Sequence, residues 1–242
     1  MLKNKRFISL LLLLSAVFAL PAWGAAFKNQ KITEQQFLDF CRDGTVQEVR
    51  KALKEGANAN AKNNIDETAL KLAAMNNSAD VVNALLSAGA EINVKDSKNK
   101  TELMYAADYN QDVEVIKALL KAGADVNAKD TYNRTALMFA AKSNTAEAIN
   151  TLIEAGADDV ADSNGKTALI YAAQYNEPEA VEALINAGTY IRQKDSSGKM
   201  AVDYARKNKK FNPGFFGFIT GFFTTHEVLQ RLEELSVIPE KN

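Results

Sequence analysis

The hydrophobic and polar positions of this 242-residue chain alternate between two patterns over most of its length. One is a short segment such as residues 135–144, TALMFAAKSN, in which Leu137, Ala140 and Ala141 fall at helical spacing. The other, about ten residues further on, is an apolar stripe: Val81, Val82, Leu85 and Leu86; Val115, Ile116, Leu119 and Leu120; Ile149, Leu152 and Ile153; Val181, Leu184 and Ile185. Spacings of three and four residues predict amphipathic helices, so each pair of patterns predicts two helices in succession. The first pattern recurs as TALKLAAMNN from Thr68, TELMYAADYN from Thr101, TALIYAAQYN from Thr167 and MAVDYARKN from Met200, at steps of 33, 34, 32 and 33 residues. A period of that size signals stacked supersecondary units, each burying its apolar face on its neighbours.

Within a unit, the threonine (Thr68, Thr101, Thr135, Thr167) is placed to cap the first helix through its hydroxyl, and alanine or glutamate follows at the first helical position. Asn77, Asn110, Asn144, Asn176 and Asn208 close the first segment. Asparagine tolerates the left-handed region, so these residues are expected to end their helices in that conformation. Gly56, Gly89, Gly123, Gly156 and Gly188 stand where the second helix stops and are expected to do the same. Pro178 opens one second helix, a position that tolerates proline.

The period, the T-A-L-x-x-A-A core and the closing glycine resemble the ankyrin repeat, a β-turn plus two helices with a T-P-L-H-x-A core. The resemblance implies an all-α solenoid of helix-turn-helix units joined by β-turn fingers, and a protein-binding module as its work. Alanine or glutamate replaces the family's proline. Its histidine is replaced by Lys71, Met104, Met138, Ile170 and Asp203, so some inter-repeat hydrogen bonding is expected to give way to apolar stacking. The stretch QFLDFCRDGTVQEVRKALKEG aligns as a divergent first repeat, with Gly44 at the family's helix-ending glycine and Cys41 at a tight helix contact. The expected organisation is a signal peptide at 1–24, cleaved there or by 26; an N-terminal capping repeat at 27–67; four repeats at 68–199; a C-terminal capping repeat at 200–236 with an insertion at 210–224; and a tail at 237–242. One extra residue falls between the helices of the second full repeat, around Asp108 to Asp112, and one is missing after Gly156.

The proposed leader has Lys3, Lys5 and Arg6 ahead of a 14-residue apolar run from Phe7 to Leu20, then small residues at Gly24 to Ala26. That run is short of the roughly 20 residues a spanning helix needs. Export is therefore expected, to a periplasm or beyond the cell. Loss of residues 1–24 takes three basic residues and no acidic one from a chain with 29 basic and 30 acidic residues, leaving a net charge of −4. That balance argues against a nucleic-acid binder that relies on phosphate neutralisation. One cysteine and one histidine, His226, leave almost no material for zinc ligation or histidine-based catalysis. No enzyme, no metal and no cofactor is expected, and the protein is expected to be a monomer.

Ankyrin repeats bind partners with the concave face made by turn tips and the exposed end of the first helix. Carried onto this chain, the tips are Ser97 and Lys98, Thr131 and Tyr132, Ser163 and Asn164, and Ser196 and Ser197. The residue before each threonine is Glu67, Lys100, Arg134 or Lys166, with Lys199 before Met200, and the four cations would form a positive stripe suited to an acidic partner. The helix end carries Asn76, Tyr109, Ser143, Tyr175 and Lys207. Lys98, Lys100, Tyr109, Tyr132, Arg134, Lys166 and Tyr175 are the resulting candidate partner contacts, the exposed tyrosines foremost. Tyr105, Phe139, Tyr171 and Tyr204 occupy the family's leucine position and are expected in the core.

The final repeat is interrupted by KKFNPGFFGFITGFFT, whose Phe211, Phe215, Phe216, Phe218, Phe222 and Phe223 are half of all the phenylalanines. It is expected either to fold as a lid over the solenoid's end or to present an apolar patch, with Phe215, Phe216, Phe218, Phe222 and Phe223 as candidate contacts. The whole reads as an exported ankyrin scaffold that binds a protein through its concave face. The alternatives are an immunity protein that neutralises a toxin, and membrane-surface association through the phenylalanine insertion.

Overall fold

The computed structural model of the chain describes residues 32–211 and 222–237. The signal-peptide reading of residues 1–24 and the insertion's Phe215, Phe216 and Phe218 lie outside the described residues, as do the side chains of Phe222 and Phe223. Six helix pairs follow in order: α1 (Glu34–Asp43) and α2 (Val46–Lys54), α3 (Ala69–Asn76) and α4 (Ala79–Ser87), α5 (Glu102–Tyr109) and α6 (Val113–Lys121), α7 (Ala136–Ser143) and α8 (Ala146–Glu154), α9 (Ala168–Tyr175) and α10 (Pro178–Asn186), α11 (Ala201–Ala205) and α12 (Phe222–Val237). Each first helix packs on the first helix of the next pair, and each second helix on the next second helix. The apolar spacing dictates this: Ala140 and Ala141 on α7, Ile149 and Leu152 on α8 are fully buried, the alanines admitting the neighbouring helix closely. Cys41 is buried in the same way, and its burial pushes the thiol up to about 12.

The second helices end as expected. Gly123 stands at φ 90° after α6, and an added Cβ there would meet nothing within 4 Å, so the glycine serves the left-handed turn alone. Gly44 is different. A Cβ on it would fall 2.7 Å from the Phe40 Cα, so it permits a close approach of backbone to backbone.

The asparagines that close the first helices depart from the expectation. Asn77, Asn144 and Asn176 have φ of −117°, −112° and −102° in extended backbone, and none is left-handed. Their amides reach into the preceding unit instead. Asn110 Nδ2 donates to the carbonyls of Ala74 (3.0 Å) and Asn77 (2.8 Å); Asn144 Nδ2 to those of Ala107 (3.1 Å) and Asn110 (2.8 Å); Asn176 Nδ2 to those of Ala141 (3.0 Å) and Asn144 (2.8 Å). Asn208 and Asn77 do likewise at the two ends. Free carbonyls at a helix end need donors, and here a buried side chain of the next unit supplies them. A second ladder runs through the segments after the glycines: Asn60, Asn93 and Asn127 each donate to the carbonyl of the next unit's closing glycine and accept an amide two residues beyond it.

The threonine caps form at two of the four positions. Thr68 and Thr167 accept from the amides of Lys71 and Ile170, whereas the hydroxyls of Thr101 and Thr135 are buried without a partner. Met104, Met138 and Ile170 are buried as the lost histidine predicted. Both irregularities are present. Gln111 is the extra residue between α5 and α6, and its side chain donates to the Ser143 carbonyl of the next unit. The missing residue after Gly156 brings Asp159 into the asparagine ladder, where it accepts from the Tyr190 amide at 2.6 Å.

Candidate binding surface

The turn fingers and first helices share one face, and its geometry begins with an aspartate in each of the four fingers after the first, in which Asn63 accepts the equivalent amides of Ile65 and Glu67. Asp96 Oδ1 accepts the amides of Lys98 and Lys100 (2.8 and 2.9 Å), which closes the tip, and its Oδ2 accepts the Tyr105 hydroxyl at 2.5 Å. Asp162 does the same with the amides of Asn164 and Lys166 and the hydroxyl of Tyr171, and Asp195 with the amides of Ser197 and Lys199 and the hydroxyl of Tyr204. In the remaining finger the aromatic residue is Phe139, which has no hydroxyl, and Arg134 takes the vacant oxygen: its Nε donates to Asp130 Oδ2 at 2.8 Å. Burial of Asp96 favours its protonated form, but the bonds from Tyr105 and the two amides outweigh that and hold the carboxyl below its ordinary value. Burial together with the hydrogen bond to Asp195 pushes the Tyr204 phenol up to about 12, the bond being the larger cause. Neighbouring tips are joined by backbone bonds, Thr131 N to Lys98 O, Ser163 N to Tyr132 O and Ser196 N to Asn164 O.

These tyrosines were expected in the core. Phe139 is buried, but Tyr105, Tyr171 and Tyr204 are half-buried, because each phenol must reach the finger aspartate. Their ring faces carry the cations of the expected basic stripe. Lys100 Nζ lies 4.5 Å from the Tyr105 ring and 4.1 Å from that of Phe139; the Arg134 guanidinium lies 4.8 Å from Phe139; Lys166 Nζ lies 4.9 Å from Tyr204 and Lys199 Nζ 5.8 Å from it. A cation over an aromatic face is attracted by the ring quadrupole, more so when desolvated.

The stripe is therefore unequal. Lys100 is 8% exposed and pairs with Asp108 at 3.3 Å, so it is an internal ion-pair partner and offers a ligand nothing. Burial, set against that ion pair, holds its ammonium below the usual lysine range. Arg134 is half-buried and committed to Asp130, and Lys71, in the histidine position, lies between Glu67 (3.5 Å) and Asp96 (3.7 Å). Lys98 is exposed at its tip and Lys166 half-exposed. The three candidate tyrosines are presented to solvent: Tyr109 is 55%, Tyr132 54% and Tyr175 46% exposed. Tyr109 stacks on Tyr105 with ring centres 6.2 Å apart, Tyr175 on Tyr171 at 6.4 Å, and the Arg134 guanidinium lies 5.1 Å from the Tyr132 ring. The reading from sequence missed Ile65, an exposed tip residue of the first finger, in register with Lys98 and Tyr132. Counting three residues back from each threonine would have found it.

Between the first two full fingers is a cavity of about 430 Å³ lined by Lys62, Thr68, Lys71, Asp96, Ser97 and Glu102 among others. Glu102, 2% exposed, has one carboxylate oxygen with no hydrogen-bond partner, and burial pushes its carboxyl up to about 7. Among the described residues no helix is long and apolar enough to cross a membrane.

A family model described as ankyrin repeats, in three copies, matches residues 37–96 and 103–195. The chain belongs to the ankyrin-repeat family. A 69-residue segment is 41% identical to the human mitochondrial disaggregase and 39% identical over the same length to the bovine one, covering 28% of this chain and 10% of each of those proteins. Among solved structures, the chain is similar to one in a complex of the predatory endopeptidase Bd0816 from Bdellovibrio bacteriovorus with the immunity protein Bd3460, with TM-score 0.64 and 25% identity over 84% of this chain and 99% of that one. It is also similar to an ankyrin repeat domain from Acinetobacter baumannii AYE, with TM-score 0.63 and 24% identity over 83% and 99% of the two chains. Ankyrin repeats are a protein-interaction scaffold, and the face just described carries the exposed Tyr109, Tyr132 and Tyr175, while the exposed Tyr190 stands in the segment after Gly188.

Proposed function

We propose that this ankyrin-repeat chain is an exported scaffold that binds a partner protein through the finger face, by rigid presentation and with no covalent step. The observation that carries this reading is the trio of exposed tyrosines on a hydrogen-bonded frame. Tyr109 and Tyr175 each stack on a ring whose hydroxyl is tied to a finger aspartate, so little side-chain freedom remains to be lost on binding. Export to a periplasm rests on the basic, apolar and small-residue regions of 1–24. The direct test is a pull-down from envelope extract with the purified chain and with a Tyr109→Ala, Tyr132→Ala, Tyr175→Ala variant. The variant should lose the partner that the parent captures. Equal recovery by both would place the interface elsewhere on the molecule.

A second reading, that the chain is an immunity protein for an exported hydrolytic toxin, is supported by the likeness over 99% of a chain in the endopeptidase–immunity complex. On this reading, co-expression of the chain should rescue cells that send the captured partner to their envelope. Unchanged killing would count against it.

A further inference from the structure

We propose that the C-terminal half of the finger face is a carboxylate-accepting subsite, in which Lys166 and Lys199 receive an acidic side chain of the partner protein beside the exposed ring of Tyr175. This rests on the finger face being the binding surface and adds the chemistry of what it binds. The argument is one of charge compensation along the stack. In the earlier units the cations packed along the first helices each have a carboxylate, and among the described residues only the tip residue Lys98 stands outside this pattern: Lys71 has Glu67 and Asp96, Lys100 has Asp108, Arg134 has Asp130, and Lys142 shares Asp108. From the next unit onward the compensation stops. Lys166 Nζ makes one hydrogen bond, at 2.7 Å, to Gln174, a neutral amide in the position that Asp108 holds two units earlier. The side chains of Lys199 and Lys207 have no ion pair or hydrogen bond among the described residues.

The nearest carboxylates are already engaged. Asp162 accepts two backbone amides and the Tyr171 hydroxyl, and Asp195 two backbone amides and the Tyr204 hydroxyl. Two ammonium groups thus lie over one ring, Tyr204, at 4.9 and 5.8 Å, without a carboxylate bonded to either. An incoming carboxylate meets two cations over one ring here, Lys166 half-buried and Lys199 exposed, whereas Lys98 stands singly at a solvated tip; electrostatic complementarity of this kind fixes register and speeds encounter. Tyr175, stacked on Tyr171, is the apolar wall of the subsite. The other half of the face exposes the large hydrophobic side chains Ile65, Tyr132 and Tyr109, with Lys98 at the tip between the first two. The matching partner segment is apolar toward the first units and acidic toward the last.

The test is a phage-displayed peptide selection on the purified chain. Affinities of the selected peptides for the parent, Lys166→Gln/Lys199→Gln, Lys166→Arg/Lys199→Arg and Tyr109→Ala/Tyr175→Ala are then measured by fluorescence anisotropy, with a thermal melt confirming that each variant folds. The expected result is selection of Asp- or Glu-containing peptides that bind at least tenfold more weakly to the glutamine variant, within threefold to the arginine variant, and more weakly as salt rises. Peptides that bind the glutamine variant as well as the parent but lose affinity for the tyrosine variant would overturn the acidic subsite and leave the finger face standing. Peptides indifferent to every variant, or no selected peptide, would overturn both. Binding to phosphatidylglycerol vesicles that the glutamine variant loses, with no acidic peptide selected, would assign the cations to lipid headgroups and also overturn the proposal.

Discussion

Replacing Asn144 with glycine separates two accounts of how the first helices end. If asparagine stood there for its tolerance of the left-handed region, glycine would be neutral or would stabilise by up to about 1 kcal/mol. The structure dictates the opposite sign. Asn144 is buried in extended backbone at φ −112°, its Nδ2 donates to the carbonyls of Ala107 and Asn110, and its Oδ1 accepts the Thr145 amide at 2.8 Å. Glycine removes all three bonds, at about 1 kcal/mol each, and adds backbone freedom to the unfolded chain at about 0.5–1 kcal/mol, for a loss of about 3–4 kcal/mol. The measurement is equilibrium urea unfolding followed by circular dichroism at 222 nm. Stacked units are coupled mainly through their neighbours, so the loss reads either as a lower midpoint or as a split transition with the units on one side of Asn144 melting first. A midpoint equal to or above the parent's would refute the ladder. Asn144→Asp sharpens the result, because it keeps the acceptor for Thr145 but sets a carboxylate against two carbonyls.

Three further outcomes are expected. Glu102 has a folded pKa raised by burial from 4.5 to about 7, so its contribution is intact below about 4.5 and is lost as pH rises through 7; stability should fall by about 2–3 kcal/mol between about pH 5 and pH 9 and Glu102→Gln should flatten that slope. Asp159 holds an asparagine position with one buried oxygen unpartnered, and Asp159→Asn supplies a donor for the Gly188 carbonyl, raising stability at neutral pH by about 1 kcal/mol in the same urea assay. Cys41, buried with its thiol pushed up to about 12, should resist iodoacetamide at about pH 8 in the native protein and react fully in urea, as read by mass spectrometry; native labelling would show that the first helix pair opens.

The fold was legible because its determinants are local or strictly periodic. The apolar stripes, the closing glycines and the two single-residue irregularities all lie within one unit, and each appears in the structure where the sequence placed it. What escaped depends on partners a full unit away. Asparagine can sit in a left-handed turn or donate its amide, and nothing near Asn110 in sequence chooses between these; the choice is made by the carbonyls of Ala74 and Asn77, 36 and 33 residues earlier. The residues of the basic stripe are visible in the sequence, but how far each is committed to a carboxylate is not. Lys100 and Lys166 look alike in sequence, yet one meets Asp108 seven residues into its first helix and the other Gln174 at the same step.

That contrast bears on how such a face can evolve specificity without losing its frame. The finger aspartate makes the same two backbone bonds in every full unit, and its second oxygen always receives one donor, a tyrosine hydroxyl in three fingers and the Arg134 guanidinium where Phe139 lacks the hydroxyl. The donor can change its identity while the requirement for one stays fixed, since a buried carboxylate oxygen left unpaired is costly. Residues inside this circuit, Lys100 and Arg134 included, are held by the scaffold and cannot vary freely with the partner. Residues that touch the circuit without completing it are free to vary: Ile65, Lys98 and Tyr132 at the tips, Tyr109 and Tyr175 stacked outside the tethered rings, and Lys199 over Tyr204. The recognition proposed for this chain therefore rests on the outer layer of side chains, and the repeat beneath it sets where that layer stands.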